Sequence, residues 1–252
     1  MDNIRSKVYD SEVEARTDEW HKRRWARFTA SNMYKLLVPG KGEMFSPGGW
    51  TYIEEKALEA TTKMWERPDI EGTESVLHGR VHEYPAFLEY VRITGNKEIS
   101  YLGDDNPMFY PYMPLAEESG GTPDSAVITS DNLIAHGVEI KCPKNPMVHY
   151  RRLDWKSQWD IKQKYIECYT QIQFLMMCAG ALTWDFMSFD DRQVIRSMKS
   201  VIIQVNRDIN FQNNLEVRLR QAIKEKYKII SKRCGMEVAN RTEFIQKFNL
   251  AA

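Results

Sequence analysis

No apolar run in this 252-residue chain approaches the roughly 20 residues a membrane-spanning helix needs, so no membrane span or membrane partner is expected. Cysteine is scarce. Cys142, Cys168, Cys178 and Cys234 are too far apart for a CxxC motif, which argues against a zinc ribbon or a thioredoxin-type redox site. The opening stretch MDNIRSKVYDSEVEAR lacks the apolar segment of a secretory signal, so the thiols are expected to be reduced and buried in a cytoplasmic protein. Internal repeats and low-complexity segments are missing too. Hydrophobic residues make up 42% and charged residues 28%, a balance that excludes disorder and supports a real core. Net charge is also lacking: 35 Lys and Arg offset 35 Asp and Glu. Neutrality alone weighs against a nucleic-acid partner.

The zero hides segregation. Residues 20–42 carry Lys22, Arg23, Arg24, Arg27, Lys35 and Lys41 and no acid, a local charge of +6. Residues 98–124 carry Glu98, Asp104, Asp105, Glu117, Glu118 and Asp124 and no base, a local charge of −6. Residues 141–164 are basic again, with Lys141, Lys144, Arg151, Arg152, Lys156, Lys162 and Lys164 against Asp154 and Asp160. A solvated surface explains any one run. A polyanion track beside an acidic, cation-binding centre explains all three.

Periodicity predicts helices at 12–26, from a Thr29 or Ser31 cap to about Leu37, and at 50–64, 74–94, 158–179 and 208–233. VPGKGEMFSPGG (38–49) reads as a loop, and Pro85 predicts a kink or a broken turn. KEISYL, MFYPYMPLA, TPDSAVIT, LIAHGVEIKC, TWDFMSFD and SVIIQVN read as strands. The fold class is α+β, a single domain over 1–252 with a central mixed β-sheet flanked by helices. A motif-bearing core spans about 20–206 and a helical region 207–252.

Chemistry concentrates in TPDSAVITSDNLIAHGVEIKC, residues 122–142. A tight turn at Asp131-Asn132 pairs Asp124 with Glu139, although a bulge at His136-Gly137 would spoil that register. Opposed residues have Cβ atoms about 4.5–5.5 Å apart, close enough for two carboxylates to share a divalent ion. Glu139 and Lys141 share a strand face while Ile140 points into the core. Two carboxylates and an ammonium suit metal-assisted hydrolysis. Alone, the pattern equally describes a surface cross-strand pair.

Its company is more specific. WHKRRWARFTAS (20–31), HGRVHE (78–83), GTPDSAV (121–127), VEIKCP (138–143) and YTQIQF (169–174) occur in one order. Together they resemble the lambda exonuclease and YqaJ-type viral recombinase family, a branch of the PD-(D/E)XK nucleases with a restriction-endonuclease-like core. The resemblance implies that Asp124, Glu139, the Ile140 carbonyl and Glu83 hold Mg²⁺, with Mn²⁺ able to substitute. Lys141 matches the catalytic lysine, Gln171 a glutamine beside it, and Glu83 the helix carboxylate. Arg24, Ser31 and Thr122 match a grip for a 5′-terminal phosphate, with Lys22 and Arg27 as further basic DNA contacts. The family implies an exonuclease that digests 5′-ended strands of linear duplex DNA and leaves 3′ tails for recombination. It further implies a ring-shaped homotrimer, a single-strand annealing protein as partner, and a phage or prophage gene acting in bacterial cytoplasm. Alternatives are a restriction- or repair-type endonuclease and an inactive DNA-binding accessory protein. Ala26 stands where the family often has Gly, and Thr122-Pro123-Asp124-Ser125 where it often has Ser-Pro-Asp-Gly. The cysteine spacing gives no support for the iron–sulfur cluster of some superfamily relatives. His78 and His82, four apart, are read as polar neighbours of Glu83 rather than metal ligands. Trp20, Trp25 and Phe28 are read as core in preference to base-stacking residues.

Overall fold

The computed structural model describes residues 24–62, 73–103, 108–131 and 133–248. The expected helix at 12–26 lies almost wholly outside these residues, as do Trp20 and Lys22. Five strands form the main sheet: β2 (Ile99–Tyr101), β5 (Ser125–Ile128), β6 (Ile134–Lys141), β7 (Thr183–Phe189) and β8 (Ser200–Asn206). Their order is β2-β5-β6-β7-β8, with β6 and β7 parallel and every other pair antiparallel, so the sheet is mixed. A smaller sheet in the order β1-β4-β3 joins β1 (Phe28–Thr29), β4 (Ser119–Gly121) and β3 (Tyr110–Pro111). The sequence pattern missed β4. A Ser-Gly-Gly strand has no apolar alternation, and its glycines serve close approach: a Cβ on Gly121 would lie 2.7 Å from that of Ala30.

The helices are α1 (Pro47–Thr61), α2 (Glu74–Thr94), α3 (Pro146–Arg152), α4 (Gln158–Lys164), α5 (Ile166–Ala179), α6 (Ile209–Cys234) and α7 (Arg241–Phe248). A 3₁₀ segment, Ala30–Leu36, replaces the helix expected before Leu37, and Thr29 at its start makes no side-chain cap bond. Helix α1 begins three residues before the expected point: the Ser46 hydroxyl accepts from the Gly49 N–H at 3.3 Å, and Pro47 fits the first turn, where no donor is needed. Helix α2 runs unbroken through Pro85 to Gly95, whose φ of 69° closes it. The carbonyl that Pro85 leaves unbonded belongs to Val81; both residues face water, which can take the missing donor's place. The helix expected over 158–179 is broken at Tyr165 into α4 and α5. Ile161, Cys168, Ile172, Leu175 and Ala179 are all buried as the periodicity required, but Tyr165 is half-exposed.

Strand alternation sets the two faces of the sheet. Val138, Ile140, Met187 and Phe189 pack with Ala86, Phe87 and Tyr90 of α2 on one face. Trp184 and Phe186 join the larger core with α5 and α6 on the other. Glu139 pairs with Phe186 across β6 and β7 and so belongs to the α5 face. All four cysteines are free thiols; three are buried and Cys234 is half-buried. Among the described residues no helix is long and apolar enough to cross a membrane.

Candidate active site

The β5–β6 hairpin keeps the expected register by two departures that cancel. Thr129 donates to the Leu133 carbonyl at 2.8 Å, so the turn holds three residues, not two. Ile128 then pairs with Ile134, and an irregularity opposite Val127 leaves Ala135 as the extra residue. Beyond it Val127 pairs with His136 and Ser125 with Val138, which brings Asp124 level with Glu139. The bulge thus lies one residue before the expected His136-Gly137 step and restores the alignment.

Asp124 Oδ2 accepts the Ile140 N–H at 2.7 Å, and the Asp124 carbonyl accepts the Leu102 N–H at 2.9 Å. The carboxylate is thereby fixed at the mouth of the hairpin. In extended backbone the N–H and C=O of one residue point to the same edge, so the Ile140 carbonyl is directed to Asp124's side. The Ile140 side chain lies in the α2-side core. Glu139 is fully buried; its Oε1 accepts from Lys141 Nζ at 2.5 Å and its Oε2 has no hydrogen-bond partner among the described residues. Lys141 Nζ also donates to Gln171 Oε1 of α5 at 3.3 Å, so Gln171 reaches the catalytic face. Glu83 lies on α2, on the other side of the sheet, and accepts from the Tyr101 hydroxyl at 3.1 Å. Tyr101 is a residue that sequence reasoning missed; it sits beside Ser125 in the β2–β5 register, a placement no local pattern announces.

The electrostatics are those of too many carboxylates for one cation. Burial, then the Asp124 charge, pushes Glu139 up to about 8. The same two causes push Glu83 up to about 8, and burial raises Asp124. Burial is the largest single influence and disfavours the Lys141 ammonium, but Glu139, Cys168, Asp124 and Tyr165 together outweigh it and raise Lys141 well above the ordinary lysine value. One ammonium cannot neutralise three carboxylates, and these groups titrate as a set.

This donor set fits a hard divalent cation: it combines Glu139's unpartnered buried oxygen, the Asp124 carboxylate and a backbone carbonyl. Among the described residues no three His, Cys, Asp or Glu side chains form a ready-made metal group, because Glu83 approaches from the opposite face and is tied to Tyr101. His78 and His82 stack with ring centroids 4.0 Å apart, and His82 Nδ1 bonds the His78 carbonyl at 2.8 Å.

The expected phosphate grip is assembled by the smaller sheet. β1 runs parallel to β4, pairing Phe28 with Ser119 and Thr29 with Gly120. Arg24 then donates to the Thr122 hydroxyl at 3.2 Å, across 98 residues of sequence. Ser31 is exposed in the 3₁₀ segment, directly after the Ala30 that packs on Gly121. Arg27 is otherwise engaged: it donates to the Glu117 carbonyl at 3.2 Å and lies 5.3 Å from the Phe109 ring centroid, which makes it a brace of the loop. Between Arg24 and Arg27, Ala26 adopts φ 57°, the left-handed region that an Ala occupies at a cost. Its N–H donates to Glu59 Oε2 at 2.9 Å and its carbonyl accepts from buried Lys226 at 3.2 Å. Lys226 is also paired with Glu118, which accepts from Tyr227 at 2.5 Å. These distant clamps were invisible in the sequence. Trp25 packs against the core and Phe28 is fully buried, as expected.

A family model for the YqaJ-like viral recombinase domain matches residues 19–182, which include every one of these side chains except the clamp from α6. The chain belongs to the YqaJ-like viral recombinase family. Solved structures agree on the fold of this recombinase. An alkaline exonuclease, LHK-Exo, from Laribacter hongkongensis superposes with a TM-score of 0.68 at 23% identity, covering 87% of this chain and 98% of that one. LHK-Exo in complex with dAMP gives the same TM-score and coverage at 22% identity. A phage related exonuclease from Haemophilus somnus 129PT gives 0.63 at 12% identity, covering 84% and 99%. None of the curated proteins compared matches the sequence.

Proposed function

We propose that this recombinase is a Mg²⁺-dependent exonuclease that removes nucleotides from the 5′ ends of linear duplex DNA and leaves 3′ single-stranded tails. The observation that carries the reading is the buried, half-satisfied Glu139 beside Asp124 and Lys141, with Thr122, bonded by Arg24, two residues before Asp124. Asp124, Glu139 and the Ile140 carbonyl hold the cation, and Glu83 serves a second position or aligns the attacking water. The bound ion supplies Lewis-acid polarisation of the scissile phosphate and a more acidic water. Lys141, held as an ammonium by Glu139 and steered by Gln171, stabilises charge that develops on the phosphate. Arg24 offers a forked donor to a terminal phosphate; Thr122 and Ser31 offer hydroxyls. An anchored 5′ end beside the cutting centre gives direction. Exonuclease structures of the same fold support the reaction class. The ring-shaped trimer and the annealing partner belong to the same proposal, as does action in bacterial cytoplasm.

Digestion of linear duplex with Mg²⁺ tests it. Glu139→Gln and Lys141→Ala should each lose at least about 100-fold in rate, the usual scale for a transition-state group. A 5′-hydroxyl end should be digested more slowly than a 5′-phosphate end, and the Arg24→Ala variant should erase that difference. Covalently closed circles should survive. Full activity in Glu139→Gln, or cutting of circles, would overturn the reading.

A further inference from the structure

The basic run at 141–164 is used only at Lys141 by the proposed reaction. The rest folds into α3 and α4 and opens a cleft of about 420 Å³ between them and Tyr165. That size suits a small ligand or one residue of a polymer. Half-exposed Tyr165 is its accessible aromatic wall, Arg152 and Trp155 line it as buried residues, and Arg151 and Lys164 stand in its lining with their side chains exposed. No acidic side chain lines it. The Arg152 guanidinium lies 4.6 Å from the Tyr165 ring centroid and 5.5 Å from that of Trp155, which itself packs on Phe186, so Tyr165 is braced from the core. Arg152 also donates to Ser188 Oγ at 3.3 Å, and Ser188 is paired with Lys141 across β6 and β7. The cleft is therefore one strand away from the cutting centre. Arg151 has no ion-pair partner among the described residues. Lys164 meets Asp160 at 2.7 Å in an exposed pair that costs little to exchange for another anion.

We propose that this cleft is a second nucleic-acid site, which takes one nucleotide of single-stranded DNA with its base against Tyr165 and its phosphates on Arg151 and Lys164. An aromatic wall under a cationic rim is the arrangement that holds single strands without reading sequence. The proposal rests on DNA being the substrate. The nucleotide belongs either to the strand entering the centre or to the strand left behind, and the choice of probe separates the two.

The test is anisotropy of the full-length protein in EDTA with three labelled probes: a single strand, a 3′-tailed duplex and a blunt duplex. Arg151→Ser with Lys164→Ser removes two exposed charges and leaves the core alone. Tyr165→Leu removes the stacking wall. The double variant should bind the single strand at least tenfold more weakly, with a salt slope shallower by about 1.4, the value for two phosphate contacts on single strands. Tyr165→Leu should lose about 5- to 100-fold, the range for one stacked base. Loss on the tailed but not the blunt duplex assigns the nucleotide to the retained strand; loss on both assigns it to the entering strand. Unchanged affinity and slope on all three probes would overturn the cleft. Digestion of linear duplex by the unaltered protein, run alongside with Mg²⁺, keeps the two readings apart: failure there sinks the nuclease and not the binding result.

Discussion

Ala26 shows how single residues set the geometry of the phosphate grip. At φ 57° an Ala carries about 1–2 kcal/mol of steric cost. Glycine would relieve it, yet it would lose a buried methyl worth about 0.8 kcal/mol and pay about 0.5–1 kcal/mol in chain entropy. Ala26→Gly should therefore shift unfolding free energy by less than about 1 kcal/mol, while Ala26→Val, branched and fully enclosed, should destabilise by more than about 2 kcal/mol in urea titration. Equal loss in both would show that the left-handed strain is immaterial. Lys226 is a second case. Lys226→Met leaves Glu118 buried without its cation and should cost about 3–5 kcal/mol, and adding Glu118→Gln should recover much of that. Additive losses would contradict the pairing. That Glu139 and Lys141 share a face of β6 was legible from spacing, because residues two apart on a strand point the same way; the chemistry expected of them came from the family resemblance. The roles of Arg24 and Thr122 came through family resemblance. Glu59, Glu118 and Lys226 were not legible, since a contact across 108 or 200 positions leaves no local trace.

Among the elements, the β5–β6 hairpin carries the candidate site, with Glu83 from α2 and Gln171 from α5, and α3 packs behind it. A one-residue error in the hairpin would have turned Glu139 toward α2 and Ile140 toward α5. The alignment of Asp124 with Glu139 was readable, but the compensating turn and bulge were not, because only their sum reaches the active end. Helix α3 is pinned to β7 by His149. Its Nδ1 lies 3.0 Å from Ser188 Oγ and its Nε2 2.8 Å from the Met198 carbonyl, which requires a proton on Nε2. Burial holds the His149 pKa below the ordinary 6.5. The folded state therefore binds fewer protons there than the unfolded chain. The contribution is complete above about pH 6.5 and is lost as pH falls below it. The urea midpoint should drop between pH 7.5 and 5, and His149→Gln should show a smaller drop from a lower starting point. An identical pH dependence in the variant would exclude His149 as a cause.

For the molecule as a whole, zero net charge proved to be a spatial arrangement. The acidic run supplies Asp124 and Glu118, one in the candidate site and the other buried against Lys226; the first basic run supplies Arg24, which reaches Thr122. The α+β class and mixed sheet were readable from the order of periodic segments, whereas the β1-β4-β3 sheet was not, because it is built from close glycine contacts. Surplus carboxylates imply that Mg²⁺ binds the folded form and raises its melting temperature, by an amount that grows with ion concentration. Glu139→Gln should lessen that rise; an undiminished rise would place the ion elsewhere. The most direct test of the account uses a linear duplex with one 5′-phosphate end and the opposite 5′ end blocked by a bound protein. With Mg²⁺ the account predicts mononucleotides released from the phosphorylated strand, shortened from its 5′ terminus, and an intact complementary strand. Shortening from a 3′ terminus, or internal fragments of both strands, would contradict it.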